Sequence, residues 1–192
     1  MRHFVYFSKN AATSGKALSG DLMKAGRMDI AIHSFIQAVY LSEDYRKDVR
    51  FHFVLYGMPD PPKHIEILVS NELEISKKDV GNLIKKMLYK YKYGKKIEVF
   101  PECFVEKKSL LDVVESLSKE NKIFVLDRKG LDLRKIEIPE NNVFILGDQE
   151  GIPAKELKRI KKIATMVSVG KKTYFASQVV TIVNNEIDSR GI

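Results

Sequence analysis

The chain predicts an α/β domain with a mainly parallel sheet covered by helices on both faces. Three observations carry this. Apolar runs of strand length alternate with segments whose apolar residues recur every three or four positions. Several of the runs stop abruptly at a glycine or a polar turn, as buried strands do where the chain leaves a sheet. No linker, low-complexity tract or internal repeat divides the 192 residues, which suits one well-buried domain over 1–192.

The elements follow in order. Phe4 to Phe7 reads as a strand at the sheet centre, and AATSGKALSGDLMKAG as a loop punctuated by Gly15, Gly20 and Gly26. Asp29 stands where a helix N-cap belongs, ahead of Ile32, Phe35, Ile36 and Val39 at helical spacing. After the polar SEDYRKD break, Val49 to Tyr56 alternates as a strand stopped by GMPDPP, and His64 to Val69 reads as a peripheral strand. Ser76 with Asp79 is a capping-box signal for a helix carrying Val80, Leu83, Ile84, Met87, Leu88 and Tyr91. Its opposite face holds Lys85, Lys86, Lys90 and Lys92, which suits either solvent or a phosphate backbone. Ile97 to Phe100 is a strand closed by Pro101. Ser109 and Asp112 then cap a helix with Leu110, Val113, Val114 and Leu117, and Lys122 to Leu126 is a buried strand ending in DRKG.

The carboxyl-terminal quarter repeats one device. The strand Val143 to Leu146 ends at Gly147, and a polar turn with Gly151 leads to Pro153, which fits the first turn of a short basic helix. The strand Ile163 to Val169 ends at Gly170, and a helix starts near Phe175 with Ala176, Val179, Val180, Val183 and Ile187 on one face. In an α/β sheet the carboxyl edge of the strands is where ligands bind.

Composition narrows the function classes. A net charge of +8, from 33 Lys+Arg against 25 Asp+Glu, favours a polyanionic partner such as nucleic acid; a heat-adapted, charge-rich surface is the competing explanation. The one cysteine excludes an internal disulfide and a thiolate cage. The four histidines (His3, His33, His52, His64) lack ligand spacing, so no metal is expected. No P-loop or dinucleotide-binding glycine string occurs. No apolar run is long enough for a membrane span, and the amino terminus enters a strand without a signal-like stretch, so a cytoplasmic protein is expected.

The strings ILGDQEGIP and SVGKKTYFASQVVTIVNNEID resemble the cofactor end of the knotted SPOUT RNA methyltransferases. With MRHFVYF, AGRMDIAIHSFIQAVYLSEDYRKDVRFHFVLYG and the PDPP turn, the chain is similar over nearly its whole length to the archaeal tRNA pseudouridine N1-methyltransferase family. The resemblance implies a C-terminal trefoil knot over about 120–192, a homodimer and the cofactor S-adenosyl-L-methionine. It implies methyl transfer to N1 of a pseudouridine at position 54 in the T-loop of tRNA, without a metal. A paralogue acting on another base, or a non-catalytic RNA-binding protein of the same fold, are the alternatives.

In such proteins three loops after the last strands form the cofactor pocket. Here they correspond to Leu126, to Gly147 through Gly151, and to Ser168, Val169, Gly170, Lys171, Lys172, Thr173 and Tyr174, with Val179 on the following helix. Ile145 and Leu146 could join Leu126, Val169 and Val179 in an apolar slot for the adenine. Val169 stands where the family has Leu, and Val179 where it often has Cys. On the acceptor side Asp29, Arg46 and Asp48 are the catalytic candidates, and Arg27 and His33 the RNA-contacting ones; His33 stands where the family more often has Arg. A carboxylate can accept the N1 proton or hold the base edge, and arginine can grip a phosphate with two donors. Plain structural roles compete: a helix cap for Asp29, an exposed pair for Arg46 and Asp48. The last helix, Phe175 to Ser189, is expected in the subunit contact, with Gln178, Asn184 and Asn185 on its mixed face.

Overall fold

The structure is a computed structural model that describes residues 1–70, 73 and 75–192. In chain order its elements are β1 (Arg2–Ser8), α1 (Met28–Val39), β2 (Val49–Leu55), β3 (Lys63–Leu68), α2 (Val80–Lys90), β4 (Ile97–Phe100) and β5 (Cys103–Glu106). They continue with α3 (Leu110–Leu117), β6 (Lys122–Asp132), β7 (Asn142–Gly147), α4 (Ala154–Ile160), β8 (Ala164–Ser168) and α5 (Ala176–Arg190).

All eight strands join one sheet in the order β4-β5-β3-β2-β1-β7-β6-β8. The run β2-β1-β7-β6-β8 is parallel, and β3, β5 and β4 extend it by antiparallel pairing. Every residue of β1 is buried, which is why its apolar run does not alternate with polar residues. Successive side chains of β1 enter different cores. Phe4 and Tyr6 pack with Phe35, Phe51 and Phe144 beneath α1, α2 and α5; Val5 and Phe7 pack with Val54, Leu110 and Val114 beneath α3 and α4. The mixed α/β sheet with helices on both faces agrees with the sequence pattern.

Four details differ from the sequence expectation. Strand β3 is interior, flanked by β2 and β5, rather than peripheral. Strand β5 has no counterpart in the sequence pattern: Glu102 at φ 60° turns the chain tightly back after β4, and four residues suffice to pair with β3 and β4. Asp29 lies inside the first turn of α1, whose N-cap position is Arg27 in a left-handed conformation. Ser76 donates to the Asp79 carboxylate at 2.5 Å instead of capping a backbone N–H.

Helices α1 and α5 lie side by side, and polar contacts near the far end of each fix their alignment. Buried Asn184 donates to the Gln37 and Ala38 carbonyls at 3.2 and 3.0 Å, satisfying acceptors that the last turn of α1 leaves open. Arg2, almost wholly buried, donates to Asn184 Oδ1 (3.1 Å), Asp188 (2.8 Å), Asp48 (2.7 Å) and the Ile192 carbonyl (3.1 Å). The N-termini of α1 and α5 therefore meet at the edge where β1, β7, β6 and β8 end. Among the described residues no helix is long and apolar enough to cross a membrane.

Candidate functional site

A cavity of about 730 Å³ opens at that edge. Three loop regions, each at the carboxyl end of a parallel strand, contribute to it. On β6 the pairing breaks, since Leu126 and Leu131 both oppose Val167, and the intervening residues loop out to bring Asp127 and Arg128 to the cavity. After β7 come Gly147, Asp148 and Gln149; after β8 come Ser168, Val169, Gly170, Lys172 and Thr173. The N-terminal turns of α1 (Asp29, Ile30, His33) and α5 (Ala176 to Val179) close the remaining sides.

The floor is apolar, from Leu126, Leu146, Val167, Val169 and Val179. Ile145 is not part of it. Strand alternation sends that side chain to the opposite face, into the core beneath α3 and α4. The turn after β7 is tight because a Cβ on Gly147 would sit 2.8 Å from the Gly151 Cα. Gly151 thus shapes the turn without lining the cavity, and Lys171 likewise lies outside the lining. Asp148 is held on three sides: Ser8 Oγ donates to it at 2.7 Å, the Glu150 N–H donates at 2.9 Å, and its own N–H donates to the Phe7 carbonyl at 3.0 Å. Phe175 N–H donates to Gln178 Oε1 at 3.0 Å, fixing the first turn of α5.

The charged side is built on one strained turn. Gly26 has φ 70°, and a Cβ there would meet the Asn10 carbonyl oxygen at 1.8 Å. Arg27 follows with φ 63°, a conformation that non-glycine residues adopt only where the surroundings enforce it. This turn aims the guanidinium of Arg27 at Asp29, which it grips through Nε and Nη2, both at 3.0 Å. The hydrogen bond from Arg27 holds the Asp29 carboxyl below the usual carboxylate range. Beneath them the Tyr6 hydroxyl is fully buried with no partner among the described residues, and burial, aided by Asp148 and Asp29, pushes its pKa up.

Arg27, Asp29, His33, Leu126, Gly147, Ser168, Val169, Gly170, Lys172, Thr173 and Val179 thus converge on one cavity. Arg46 and Asp48 do not. Arg46 pairs with Asp188 at 2.5 Å and Asp48 with Arg2, so both belong to the network that fastens α5. Asn184 is buried against α1 rather than presented on an outer face. Asp127, Arg128, Asp148, Gln149, Tyr174, Phe175, Ser177 and Gln178 also line the cavity. Asp148, Gln149 and Tyr174 fall inside the loops the resemblance assigns to the cofactor, and Gln178 stands on the helix face expected in the subunit contact; for Asp127, Arg128, Phe175 and Ser177 the signal is position alone, in the DRKG turn or at the start of the last helix.

A cavity at the strand ends between two helix N-termini suits a nucleotide-type cofactor, and comparison supplies the class. The chain belongs to the SAM-dependent RNA methyltransferase family, whose model matches residues 1–192. Among its relatives, the tRNA (pseudouridine(54)-N(1))-methyltransferase of Pyrococcus abyssi is 32% identical, covering 100% of both chains. The enzymes of the same name from Thermococcus gammatolerans and Methanocella arvoryzae are each 34% identical, covering 98% of this chain and 98% of the former, and 99% of this chain and 100% of the latter. Among solved structures, Archaeoglobus fulgidus Nep1 bound to S-adenosylhomocysteine shares the fold, with a TM-score of 0.66 at 14% identity over 98% of each chain.

The lining fits S-adenosylmethionine. The volume falls within the range of sites that enclose such ligands, the apolar floor suits adenine, and two helix N-termini favour its carboxylate. When bound, this cofactor supplies a methyl group activated on a sulfonium. Gly147→Val is expected to push the turn off Gly151 and raise the cofactor dissociation constant at least about tenfold, some 1.4 kcal/mol. Calorimetry on the variant, with circular dichroism as the fold control, measures this.

Proposed function

We propose that this protein is a homodimeric tRNA methyltransferase of SPOUT type, with a trefoil knot over about 120–192, that methylates N1 of the pseudouridine at position 54 in the cytoplasm. The observation that carries the reading is the Arg27–Asp29 pair, placed by a strained turn in the lining of the cavity that the three strand-end loops share. Pseudouridine is joined to its ribose through carbon, so its N1 bears a hydrogen that uridine lacks. An ionised Asp29 accepts a hydrogen bond from that N–H and would take its proton as N1 bonds to the methyl carbon and the sulfonium C–S bond breaks, while Arg27 locks the carboxylate in one orientation. Arg128 and Lys172 add positive charge at the cavity for phosphate, and the +8 net charge favours RNA encounter. Phe175, 74% exposed, and Tyr174, 39% exposed, form an apolar rim at the start of α5 that suits a partner subunit. The names of the 32–34% identical relatives support the choice of base and position.

The test uses labelled cofactor with two T-loop transcripts, one carrying uridine and one pseudouridine at position 54. Label is expected only in the second. Equal label in both, or label at another position, overturns the acceptor assignment.

A further inference from the structure

On the other face of the sheet, away from the cavity, three histidines distant in sequence stand in a row. His3 on β1, His52 on β2 and His64 on β3 are all buried, with His3 Nδ1 at 3.0 Å from His52 Nε2 and His52 Nδ1 at 2.9 Å from His64 Nε2. Their ring planes are nearly parallel, at 17° and 9°. At the end of the row His64 Nδ1 lies 2.9 Å from Glu106 Oε1 on β5. Glu66, directly opposite His52 on β3, joins them: one donor atom from each of Glu66, His52 and His64 lies within 4.8 Å of the others.

We propose that His52, His64 and Glu66 form a binding site for a divalent transition ion of the Zn²⁺ type. A hydrogen-bonded row of imidazoles needs only nitrogens in line. The carboxylate beside the His52–His64 gap is the added element, and two imidazoles with one carboxylate is a donor set that borderline ions take. The three donors rise from adjacent antiparallel strands on one sheet face, so their backbones are fixed before any ion arrives.

The outer nitrogens are fastened as such a site requires. Glu106 can only accept from His64 while ionised, so His64 carries its hydrogen on Nδ1 and presents a lone pair at Nε2 toward the gap. Without an ion, a hydrogen on His52 Nδ1 fills the gap, and His52 Nε2 accepts from His3 Nδ1–H. With an ion, His52 presents a lone pair at Nδ1 and carries its hydrogen on Nε2, donating it to His3 Nδ1. The His3 hydrogen then sits on its own Nε2. No ring gains or loses a proton in the exchange, and two tautomers have changed. His3 borders a second cavity of about 310 Å³, lined also by Met1, Arg50 and Asn121, through which the protons can exchange with solvent. A tetrahedral ion about 2.0–2.1 Å from each nitrogen sets them about 3.3 Å apart, a few tenths of an ångström wider than the hydrogen-bonded row.

Cations surround the carboxylate donor. Glu66 is held by Arg50 at 2.6 Å and Lys96 at 2.7 Å, and Arg50 also binds Glu102 at 2.8 Å. With Glu106, which Lys108 also faces, three carboxylates meet three cations, so the cluster is balanced before an ion enters. Arg50 and Lys96 lower the affinity, and they also fix the Glu66 carboxylate beside the imidazoles.

Untagged protein dialysed against a chelator is titrated with Zn²⁺ by calorimetry and with Co²⁺ by visible absorption. One ion per chain is expected, with the intense band of a four-coordinate Co²⁺ site that Zn²⁺ then abolishes. His52→Gln and His64→Gln are each expected to weaken binding at least about 100-fold. Glu106→Gln and His3→Gln, which leave every proposed ligand in place, should weaken it about 10–100-fold. This second pair keeps the test decisive where a ligand variant fails to fold. Absence of binding by the wild-type protein, or binding that His52→Gln and Glu106→Gln leave unchanged, overturns the proposal.

Discussion

Asp29→Asn lowers the rate of methyl transfer to pseudouridine-containing tRNA about 10²–10³-fold and leaves the cofactor dissociation constant within about twofold. The amide keeps the size and one acceptor oxygen but loses the charge, and one of its two heads becomes a donor that repels the guanidinium of Arg27. Both donors of Arg27 now meet carboxylate oxygens at 3.0 Å. Cofactor affinity is spared if the cofactor lies, as proposed, on the apolar floor and the two glycine-ended turns, none of which Asp29 forms. Single-turnover labelling separates this loss from weaker tRNA binding. Because the Arg27 hydrogen bond depresses the Asp29 pKa, the carboxylate stays ionised well below neutrality, so the rate has no inflection from Asp29 as pH falls from 8 to about 5. An Asp29→Asn rate within twofold of wild type would reduce Asp29 to a brace for the strained turn at Arg27.

What the sequence discloses and what it conceals divide along a physical line. Periodicity and strand-end glycines are local, so Val143 to Gly147 and the stripe Val180, Val183 and Ile187 can be placed from the order of the residues alone. Asp29 can be marked as a helix-start residue, but its neighbour Arg27 in a left-handed conformation cannot, since that depends on Gly26 packing against Asn10. Arg46 and Asp48 form one arginine-x-aspartate string, yet each pairs with a residue more than forty positions away. His3, His52 and His64 look scattered because sheet register, not spacing along the chain, puts them in contact. In each case the missing information is a long-range pairing that only the closed sheet supplies.

Arg2→Met is expected to cost about 3 kcal/mol of stability, a fall in Tm of about 6–12 °C for a chain of this length. The side chain of Arg2 is 6% exposed, whereas its partners Asp48 and Asp188 are 50% and 42% exposed and can rehydrate. The larger part of the loss comes from Asn184 Oδ1 and the Ile192 carbonyl, which lose a charged donor in a buried setting. Asp188→Asn should cost less, under about 1 kcal/mol, since solvent screens an ion pair of that exposure. Acid gives an independent reading of the same network. Burial alone would raise the Asp188 pKa, but hydrogen bonds from Arg46 and Arg2 outweigh it and the net shift is downward. A depressed folded-state carboxyl contributes stability above the unfolded value of about 3.9 and loses it as pH falls through the folded value. The Tm difference between wild type and Arg2→Met should therefore be full at pH 7 and shrink below about pH 4. Arg2 sits at the end of α5 remote from the cavity, so the variant also tests whether this fastening holds the cofactor wall. If it does, Arg2→Met weakens cofactor binding although no atom of Arg2 touches the cavity, and saturating cofactor returns part of the lost Tm.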